Sequence, residues 1–406
     1  MALPWYRLSV SGNITLRILY GVIYNFIAYV SVGFGTVVVT LFVHEGLGYK
    51  VAVATAVYAI QYLATAIAQP TAGWVCDHIG AKRSVVMGMA ANFFYGVLLI
   101  CVGVFSSHAE LALTILIVAR VLQGLSEGWS TTGTIIWNIA TVGAQHTARA
   151  ISWNGITTYG GIALGGYLAT FLYPAWGILG VGVIIVAISA VGLWIALLRP
   201  HIAPPSLREG SKRLKISQIL ERIYLHGTSL ALGSIGFGII MTFTALYFGA
   251  IQWGPYAGQA IASFGIVFVL VRLFFGQMID RKGGFSIAFI SFAVETVGVL
   301  VYWAAPVPLV AILGCALIGG GFSLVYPALG VELTKIVGAE NRGSAIGFYS
   351  LFLDFSMITL AFLGIAQDYI GYSGIFLTGV ILTALGGIVA YGAMRVQYHR
   401  YPETKR

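Results

Sequence analysis

The 406-residue sequence contains very few charged side chains. Asp, Glu, Lys and Arg make up 9% of it, whereas they make up about 25% of a typical soluble globular domain. Hydrophobic residues account for 59% of the chain. So few charges cannot cover the surface of a water-soluble protein of this length. The composition therefore excludes a soluble globular protein and indicates a chain that is surrounded by lipid.

Several chemical signatures are also absent from the sequence. The three cysteines, Cys76, Cys101 and Cys315, are far apart and lack metal-site spacing, so we expect free thiols and no disulfide framework. No Gly-rich loop ending in Lys and Ser or Thr is present, which argues against ATP-driven transport. No His-Glu-x-x-His pattern and no nucleophile elbow occurs. We therefore expect no metal, no cofactor and no enzymatic activity.

Long apolar runs fill most of the chain. A membrane-spanning helix needs about 20 apolar residues, and in lipid its backbone groups must be satisfied within the segment. Twelve such helices are predicted, at 15–43, 51–76, 84–106, 110–136, 149–172, 176–198, 222–250, 257–279, 285–304, 308–333, 343–367 and 371–395. A basic, proline-containing linker at 199–221 separates an N-terminal half, 1–198, from a C-terminal half, 222–406.

The positive charges are concentrated on one side of this predicted topology. Of the 22 Lys and Arg residues, 19 fall in the termini, the linker and the loops of one side, and only Lys50 falls in a loop of the other. Because cytoplasmic loops are enriched in Lys and Arg, both termini are predicted to be cytoplasmic. This bias accounts for the net charge of +9, and we expect no nucleic-acid partner.

Two short patterns recur in the two halves of the chain. The first has Gly, Asp and Gly after the second span of each half, at Gly73, Asp77 and Gly80 and, 203 residues later, at Gly276, Asp280 and Gly283. The second has Val-Gly-Ala shortly before an arginine, at Val142 to Arg149 and at Val337 to Arg342. The chain is therefore predicted to contain two related six-helix halves, a transporter design with its site near the bilayer midplane.

These motifs resemble those of the major facilitator superfamily. The run from Gly73 to Arg83 is similar to the family signature between spans two and three, and Arg120-Val-Leu-Gln123-Gly124 resembles its second motif. The glycines of span five resemble the third motif of antiporter members, although its usual Gly-Pro pair is missing. The stretches 152–155 and 322–330 resemble the YhhS/YfcJ group of bacterial efflux-type permeases. The resemblance implies an all-α integral membrane fold, with twelve transmembrane helices in two pseudo-symmetric six-helix bundles around a central cavity.

The resemblance also implies a conformational latch at the cytoplasmic side. In the family, the Asp of the first motif pairs with an Arg at the start of span eleven, which here would be Asp77 with Arg342, and the repeat adds Asp280 with Arg149. Such pairs would stabilise the outward-facing state and open as the transporter cycles. The alternative is that these charges only anchor loops at the lipid headgroups. The other predicted latch residues are Gly73 for close helix contact, Gly80 for a tight turn and Arg83 at the headgroups.

Ionisable side chains inside the spans are costly to bury and therefore indicate function. Arg120 and Glu127 share one face of span four, Arg272 lies in span eight, and Asp354 lies near the middle of span eleven. These four are the predicted proton-coupling residues, with Glu127 and Asp354 as proton carriers and Arg272 as a partner of Asp354 or of an anionic substrate. Structural helix-bridging pairs are the alternative. For Glu295 in span nine we expect a structural or lipid-facing role.

Other polar and aromatic residues of the spans are predicted to line a cavity for an amphipathic organic solute. They are Asn25, Tyr29, Gln61, Trp153, Asn154, Tyr159, Phe243, Tyr247 and Tyr326. For each residue taken alone, ordinary helix packing is the alternative.

Taken together, the sequence predicts a proton-coupled secondary transporter that works by alternating access. It is expected to act as a functional monomer in a bacterial inner membrane and to export a small organic molecule by proton antiport. A proton-coupled importer is the main alternative. A lipid-modifying membrane enzyme is less favoured, because no nucleophile or metal cluster is found at the membrane surface, and a transport-inactive sensor is a further alternative.

Overall fold

The computed structural model describes residues 14–49, 51–203, 213–253 and 256–405, which are almost entirely helical and contain no strand. Part of the predicted linker, 204–212, lies outside the described residues. The same holds for five basic residues that contributed to the predicted charge bias: Arg7, Lys50, Arg208, Lys212 and Arg406.

The described residues form eleven α-helices joined by short turns. They are α1 (Ile14–Leu41, extended by a π-helical turn at Phe42–Gly46), α2 (Val51–His78), α3 (Ala81–Val104), α4 (Ala109–Val142), α5 (Thr147–Leu198), α6 (Ile216–Ala250), α7 (Ala257–Phe275), α8 (Met278–Lys282), α9 (Gly284–Trp303), α10 (Pro308–Val337) and α11 (Arg342–Arg400).

The two longest helices each consist of two membrane helices joined at a kink. Helix α5 contains 52 residues and α11 contains 59, and each has one glycine with non-helical backbone angles. These are Gly177, with φ of 62°, and Gly371, with φ of 65°. Glycine adopts such angles without steric cost, so the chain can change direction there. Divided at these two glycines, and without the five-residue α8, the helices correspond to the twelve predicted spans.

Within the described residues, nine segments are long and apolar enough to cross a membrane by length and composition. The remaining helical segments are α2, the first part of α5 and α7, whose described apolar stretch at Gln259–Phe275 is shorter. Helix α2 carries Gln61 and Asp77, and the first part of α5 carries Asn154. The prediction of an all-α integral membrane protein is confirmed.

The described helices form two compact units. Unit 1 comprises the described residues of Met1–Gln145, Trp153–Lys212 and Arg342–Gly347. Unit 2 comprises those of His146–Ser152, Arg213–Asn341 and Phe348–Arg406. The first residues of α5 and α11 are thus grouped apart from the rest of their helices. The predicted boundaries of the two halves, 1–198 and 222–406, stay a prediction.

Glycines with positive φ recur at equivalent places in the two halves of the sequence. They are Gly80 (118°) and Gly283 (83°) before α3 and α9, Gly143 (95°) and Gly338 (77°) after α4 and α10, and the kink glycines Gly177 and Gly371. At these angles a Cβ atom is strained, so glycine is favoured at each turn. The backbone therefore repeats the same three turns in the same order.

The glycine-rich first part of α5 lies directly against α1 in unit 1. A Cβ atom added at Gly161 would lie 2.9 Å from Cβ of Tyr29, and one added at Gly165 would overlap the carbonyl oxygen of Val30. Small residues allow membrane helices to approach this closely. Gly160, by contrast, has no other described atom within 4 Å of an added Cβ. One side of the glycine run therefore makes the contact.

This contact predicts opposite effects for two neighbouring substitutions. Gly165→Ala should lower the thermal unfolding temperature in detergent, because the overlap with Val30 must be relieved at a cost of about 1–3 kcal/mol. The matched Gly160→Ala should leave the temperature unchanged or raise it, because alanine favours helix by about 1 kcal/mol over glycine. Equal unfolding temperatures for the two variants would contradict the packing described here.

Candidate functional site

The carboxyl group of Glu127, on α4, is surrounded by hydrogen-bond donors in unit 1. Gln61 Nε2 donates to Glu127 Oε2 at 2.6 Å, and Thr65 Oγ1 lies 3.2 Å from the same oxygen. The hydroxyl of Tyr29 also forms a hydrogen bond with the carboxyl group. Glu127 is 8% exposed. Side chains from α1 and α2 therefore converge on one buried acid of α4.

Two glycines bring α2 and α4 close enough for these hydrogen bonds. A Cβ atom at Gly124 would overlap the carbonyl oxygen of Gln61, and one at Gly128 would lie 2.6 Å from Cβ of Ala68. Gly124, Glu127 and Gly128 lie on one face of α4, since they are three and four residues apart. The same face thus makes the close contact and presents the acid.

Arg120 is fully buried two helical turns before Glu127. Its guanidinium donates to Gln123 Oε1, and a Cβ atom at Gly35 of α1 would lie 2.6 Å from its Nη1. The charge of Arg120 also acts on Glu127. The residues that sequence reasoning assigned to one helical face therefore lie near each other, and the hydrogen bonds of Thr65 are an addition that it missed.

Asn25 connects α1 with the first part of α5. Its Nδ2 lies 3.0 Å from the carbonyl oxygen of Asn154, 3.1 Å from Oγ1 of Thr157 and 2.9 Å from Oγ1 of Thr158, and all three oxygens are placed to accept. Tyr29, one turn further along α1, accepts a hydrogen bond from Thr131 at 3.2 Å. Asn25, Tyr29 and Asn154, which were predicted to line the cavity, therefore all make polar contacts between helices of unit 1.

A second buried polar group lies in unit 2. Arg272 Nε donates to the carbonyl oxygen of Ser323 at 2.8 Å, and the hydroxyl groups of Tyr326 and Ser350 are 2.6 Å apart. The charges of Asp354 and Arg272 both act on Tyr326. Asp354 is 6% exposed and Arg272 is 5% exposed. Three residues that were predicted separately, Arg272, Tyr326 and Asp354, thus belong to one group.

The structure shows packing or burial for the other four predicted cavity residues. Trp153 packs against the apolar cluster of Ile18, Val22 and Val142. The rings of Tyr247 and Phe376 are 4.9 Å apart, in an edge-to-face arrangement. Phe243 is buried and Tyr159 is half-buried. Substrate contact by these four residues stays a prediction.

Asp77 binds the N-terminus of α11. Its Oδ1 accepts a hydrogen bond from the backbone N–H of Gly343 at 2.8 Å, and its Oδ2 accepts one from Ser344 at 2.7 Å. The first N–H groups of a helix lack intrahelical partners and carry a partial positive charge, so an anion is favourable there. Gly73 allows this approach, because a Cβ atom would overlap the carbonyl oxygen of Gly343. Sequence reasoning missed these backbone groups, and the pairing of Asp77 with Arg342 stays a prediction.

Asp280 makes the corresponding contact at the N-terminus of α5. It accepts a hydrogen bond from the backbone of Ala148, and the charges of His146 and Arg149 act on it. Ala148 is the second residue of α5, as Gly343 is the second residue of α11. The two latch positions predicted from the repeat therefore share one geometry, an aspartate at the start of a long helix.

The turn between α2 and α3 is held at its basic end. Gly80 adopts a φ of 118° immediately before α3, and its carbonyl accepts the backbone N–H of Arg83 at 3.0 Å. Lys82 Nζ donates to the carbonyl oxygens of Leu197, at 2.8 Å, and Arg199, at 2.6 Å. The Arg83 side chain is exposed. The tether therefore comes from Lys82, and a headgroup contact of Arg83 stays a prediction.

Comparisons with known proteins give a consistent result. The family model described as "Major Facilitator Superfamily" matches residues 21–361 and 256–405. An uncharacterised MFS-type transporter of Burkholderia pseudomallei (strain 1106a) is 40% identical over 373 residues, which are 92% of this chain and 90% of that protein. Another, from Pseudomonas aeruginosa (strain LESB58), is 41% identical over 393 residues, 97% of this chain and 95% of that protein.

Solved structures share the same fold. A bacterial homologue of the iron transporter ferroportin, in an outward-facing state, has a TM-score of 0.73 at 15% identity. The match covers 94% of this chain and 99% of the homologue's chain. The Escherichia coli fucose:proton symporter has a TM-score of 0.70 at 13% identity, and the match covers 94% of this chain and 97% of the symporter chain. At these identities the likeness shows the fold alone, and membership of the narrower efflux-type group stays a prediction. On the family model and the bacterial relatives, the chain belongs to the major facilitator superfamily, whose members transport small molecules across membranes and are not enzymes.

Proposed function

We propose that the chain is a proton-coupled secondary transporter that exports a small organic molecule from a bacterial cell in exchange for protons. It would work by alternating access, as a monomer in the inner membrane with both termini in the cytoplasm. The observation that carries the proposal is the convergence of Gln61, Thr65 and Tyr29 on the buried carboxyl group of Glu127.

The surroundings of Glu127 can satisfy the carboxyl group in either protonation state. When it is ionised, the amide of Gln61 and the two hydroxyl groups donate to it. When it is protonated, its own O–H can donate to a hydroxyl oxygen, because Ser, Thr and Tyr hydroxyls both donate and accept. A reversible proton carrier needs this property, since an unsatisfied buried polar group costs about 1–3 kcal/mol. Glu127 is buried but still 8% exposed, and this remaining exposure would let a proton reach the carboxyl group.

The group in unit 2 would provide a second proton or substrate site. Asp354 is an acid inside a helix that is apolar enough to span a membrane, and ionisable residues there are functional by default. Arg272 offers a fixed positive charge that suits an anionic group of a substrate. Tyr326 lies within the influence of both charges and supplies a hydroxyl. These features support a role for Asp354 with Arg272 in substrate and proton exchange.

We further propose that the aspartates at the two helix N-termini form the latch of the alternating-access cycle. A hydrogen bond to a charged group contributes about 1.5–3 kcal/mol, and the helix dipole adds about 0.3–1 kcal/mol at an exposed site. Contacts of this size hold one state and can still be broken during a cycle. Asp77 at the start of α11 and Asp280 at the start of α5 make the same kind of contact with backbone N–H groups, which supports a pair of contacts of similar strength.

The proposed direction of transport is supported by the packing of the first part of α5. The glycine-rich first part of α5, which resembles the third motif of antiporter members, makes its closest contact with α1, the helix that carries Asn25 and Tyr29. This favours export by antiport.

A substrate is first found by screening metabolites and drugs for a rise in unfolding temperature, because a ligand of the folded state stabilises it. Transport is then measured in everted and right-side-out vesicles with an imposed proton gradient, and accumulation only in right-side-out vesicles would show import.

Removing either proposed proton carrier should uncouple transport from the proton gradient. We expect Glu127→Gln and Asp354→Asn each to abolish proton-driven accumulation while leaving substrate binding or exchange partly intact, because the amides keep the shape and cannot release a proton. Glu110→Gln is the matched control, since Glu110 is exposed at the start of the same helix α4. Unchanged driven transport in a variant would remove that residue from the proton path.

The latch can be tested with a native thiol. Cys76 is buried, and a Cβ atom at Gly343 would lie 2.8 Å from its Cβ, so the start of α11 covers it. Asp77→Asn removes the charge and one of the two acceptors for the α11 backbone, so Cys76 should react with a maleimide faster, by about tenfold for each 1.4 kcal/mol lost.

Cys315 provides the internal control for this measurement. It is fully buried in unit 2 and should react equally slowly in both proteins, which separates latch opening from general unfolding. An unchanged rate at Cys76 in Asp77→Asn would argue against the latch.

A further inference from the structure

Glu295, near the middle of α9, is a buried acid outside both groups described above. It is 0% exposed, and neither carboxyl oxygen has a hydrogen-bond partner among the described residues. Helix α9 is one of the segments that are apolar enough to span a membrane. Of the two predicted roles, structural or lipid-facing, the lipid-facing one is therefore wrong, because the carboxyl group points into the interior of unit 2.

Glycines on the neighbouring helix leave room for this carboxyl group. A Cβ atom at Gly233 of α6 would lie 3.6 Å from Glu295 Oε2, and one at Gly236 would lie 3.3 Å from Oε1. The same Cβ at Gly236 would overlap Oγ1 of Thr383 on α11, a hydroxyl that is also fully buried without a recorded partner. The acid and the hydroxyl thus point into one recess between α6, α9 and α11.

The internal repeat identifies the counterpart of Glu295 in unit 1 as Asn92. The two residues are 203 apart, the offset of the aspartate motifs. Asn92 Nδ2 donates to Ser31 Oγ at 2.9 Å and to Ser189 Oγ at 2.8 Å. Unit 1 therefore fills this place with a neutral amide that joins three helices.

The hydroxyl groups around the two positions also correspond. Ser234 lies 203 residues after Ser31, and each donates to the carbonyl oxygen four residues earlier, at 2.8 Å and 3.1 Å respectively. Thr383 lies 194 residues after Ser189, the same offset that relates the kink glycines Gly177 and Gly371. The repeat therefore keeps a hydroxyl at each of these two positions, whereas the side chain at 92 and 295 is an amide in one half and an acid in the other.

In unit 1 a neutral amide at this position already joins the neighbouring helices by hydrogen bonds. Packing alone therefore does not explain why unit 2 has an acid there. An ionised carboxylate without a partner in a protein interior costs several kcal/mol, which favours the neutral acid in the arrangement observed. A neighbouring hydroxyl can accept from the acid or donate to the carboxylate. The Thr383 hydroxyl, which shares the recess, can therefore serve as a partner for both protonation states, a property that a site built around an amide does not need.

We propose that Glu295 is a reversible proton-binding site within unit 2, separate from Glu127 and Asp354, with the Thr383 hydroxyl as its partner. In the state observed, the carboxyl group carries the proton. When the recess opens to water, the O–H bond breaks, the proton passes to a water molecule, and the carboxylate accepts a hydrogen bond from Thr383. The reverse step restores the neutral acid. The site does not depend on the direction or substrate of transport.

Other titratable groups on the surrounding helices lie away from the recess. His226 is two turns before Gly233 on α6, and Tyr302 is two turns after Glu295 on α9. On α11, Tyr372 is three turns before Thr383, and Tyr391 is about two turns after it. On α10, which contacts α9 at Gly321, Glu332 is three turns further along the helix. Among the described residues, no charge is recorded as acting on Glu295. A change in its protonation would therefore report on the recess itself.

Infrared difference spectroscopy of the purified, lipid-reconstituted protein tests the proposal. The spectrum of the wild type minus that of Glu295→Gln should contain the carbonyl band of a protonated carboxylic acid, and this band should disappear reversibly as the pH is raised from about 5 to about 9. The band should persist in Glu127→Gln and Asp354→Asn. A band that does not change with pH would mean a permanently neutral structural acid, and the absence of the band would mean a carboxylate; either result overturns the proposal.

The variant is expected to fold, because Asn92 shows that an amide suits this position. Glu295→Asn, which copies unit 1, serves as a second neutral variant. A carbodiimide that modifies protonated carboxyl groups in apolar surroundings gives an independent measurement on the wild type, with mass spectrometry of the peptide that contains Glu295. Modification should slow as the pH rises, and modification that is absent or independent of pH would overturn the proposal. Loss of coupling in Glu127→Gln or Asp354→Asn concerns the transport proposal and leaves this one unaffected.

Discussion

Burial of polar groups is the constraint on which this structure depends. Inside helices that are surrounded by lipid, a polar side chain without a partner costs several kcal/mol, so a partner on another helix is strongly favoured. Asn25 bonds to the backbone and hydroxyls of α5, Asn92 bonds to two serines, and Gln61 bonds to Glu127. Glycines such as Gly124 make these contacts possible, because only a helix without a bulky side chain can approach so closely.

The same constraint explains the helix ends. Asp77 and Asp280 would be costly if they lay unpaired near the ends of membrane helices. Each is satisfied by backbone N–H groups at the start of a long helix, which themselves lack intrahelical partners. One contact thus gives hydrogen-bond partners both to the aspartate and to the N–H groups at the start of the helix. A contact of moderate strength suits a latch that must open and close.

The two halves share a backbone plan and differ in chemistry at a few places. The turn glycines and several hydroxyls recur, whereas Glu295 stands where unit 1 has Asn92, and Arg272 stands 203 residues after Gln69. A repeat that served only packing would keep neutral groups at both positions. At these two positions of the proposed sites, the C-terminal half therefore has an ionisable side chain where the N-terminal half has a neutral amide.

The sequence by itself determined the membrane class, the twelve helical segments, the repeat and the family, because apolar run length, charge bias and motif spacing are local properties of the chain. It also indicated Glu127, Arg272 and Asp354, since an ionisable residue in an apolar run is conspicuous. Only the tertiary structure decided which groups meet. The backbone partners of Asp77, the grouping of Arg272 with Tyr326 and Asp354, the packing of Trp153 and the recess of Glu295 all join residues from different helices. Such contacts depend on the rotation and spacing of packed helices, which hydrophobic periodicity in an almost wholly apolar sequence does not specify.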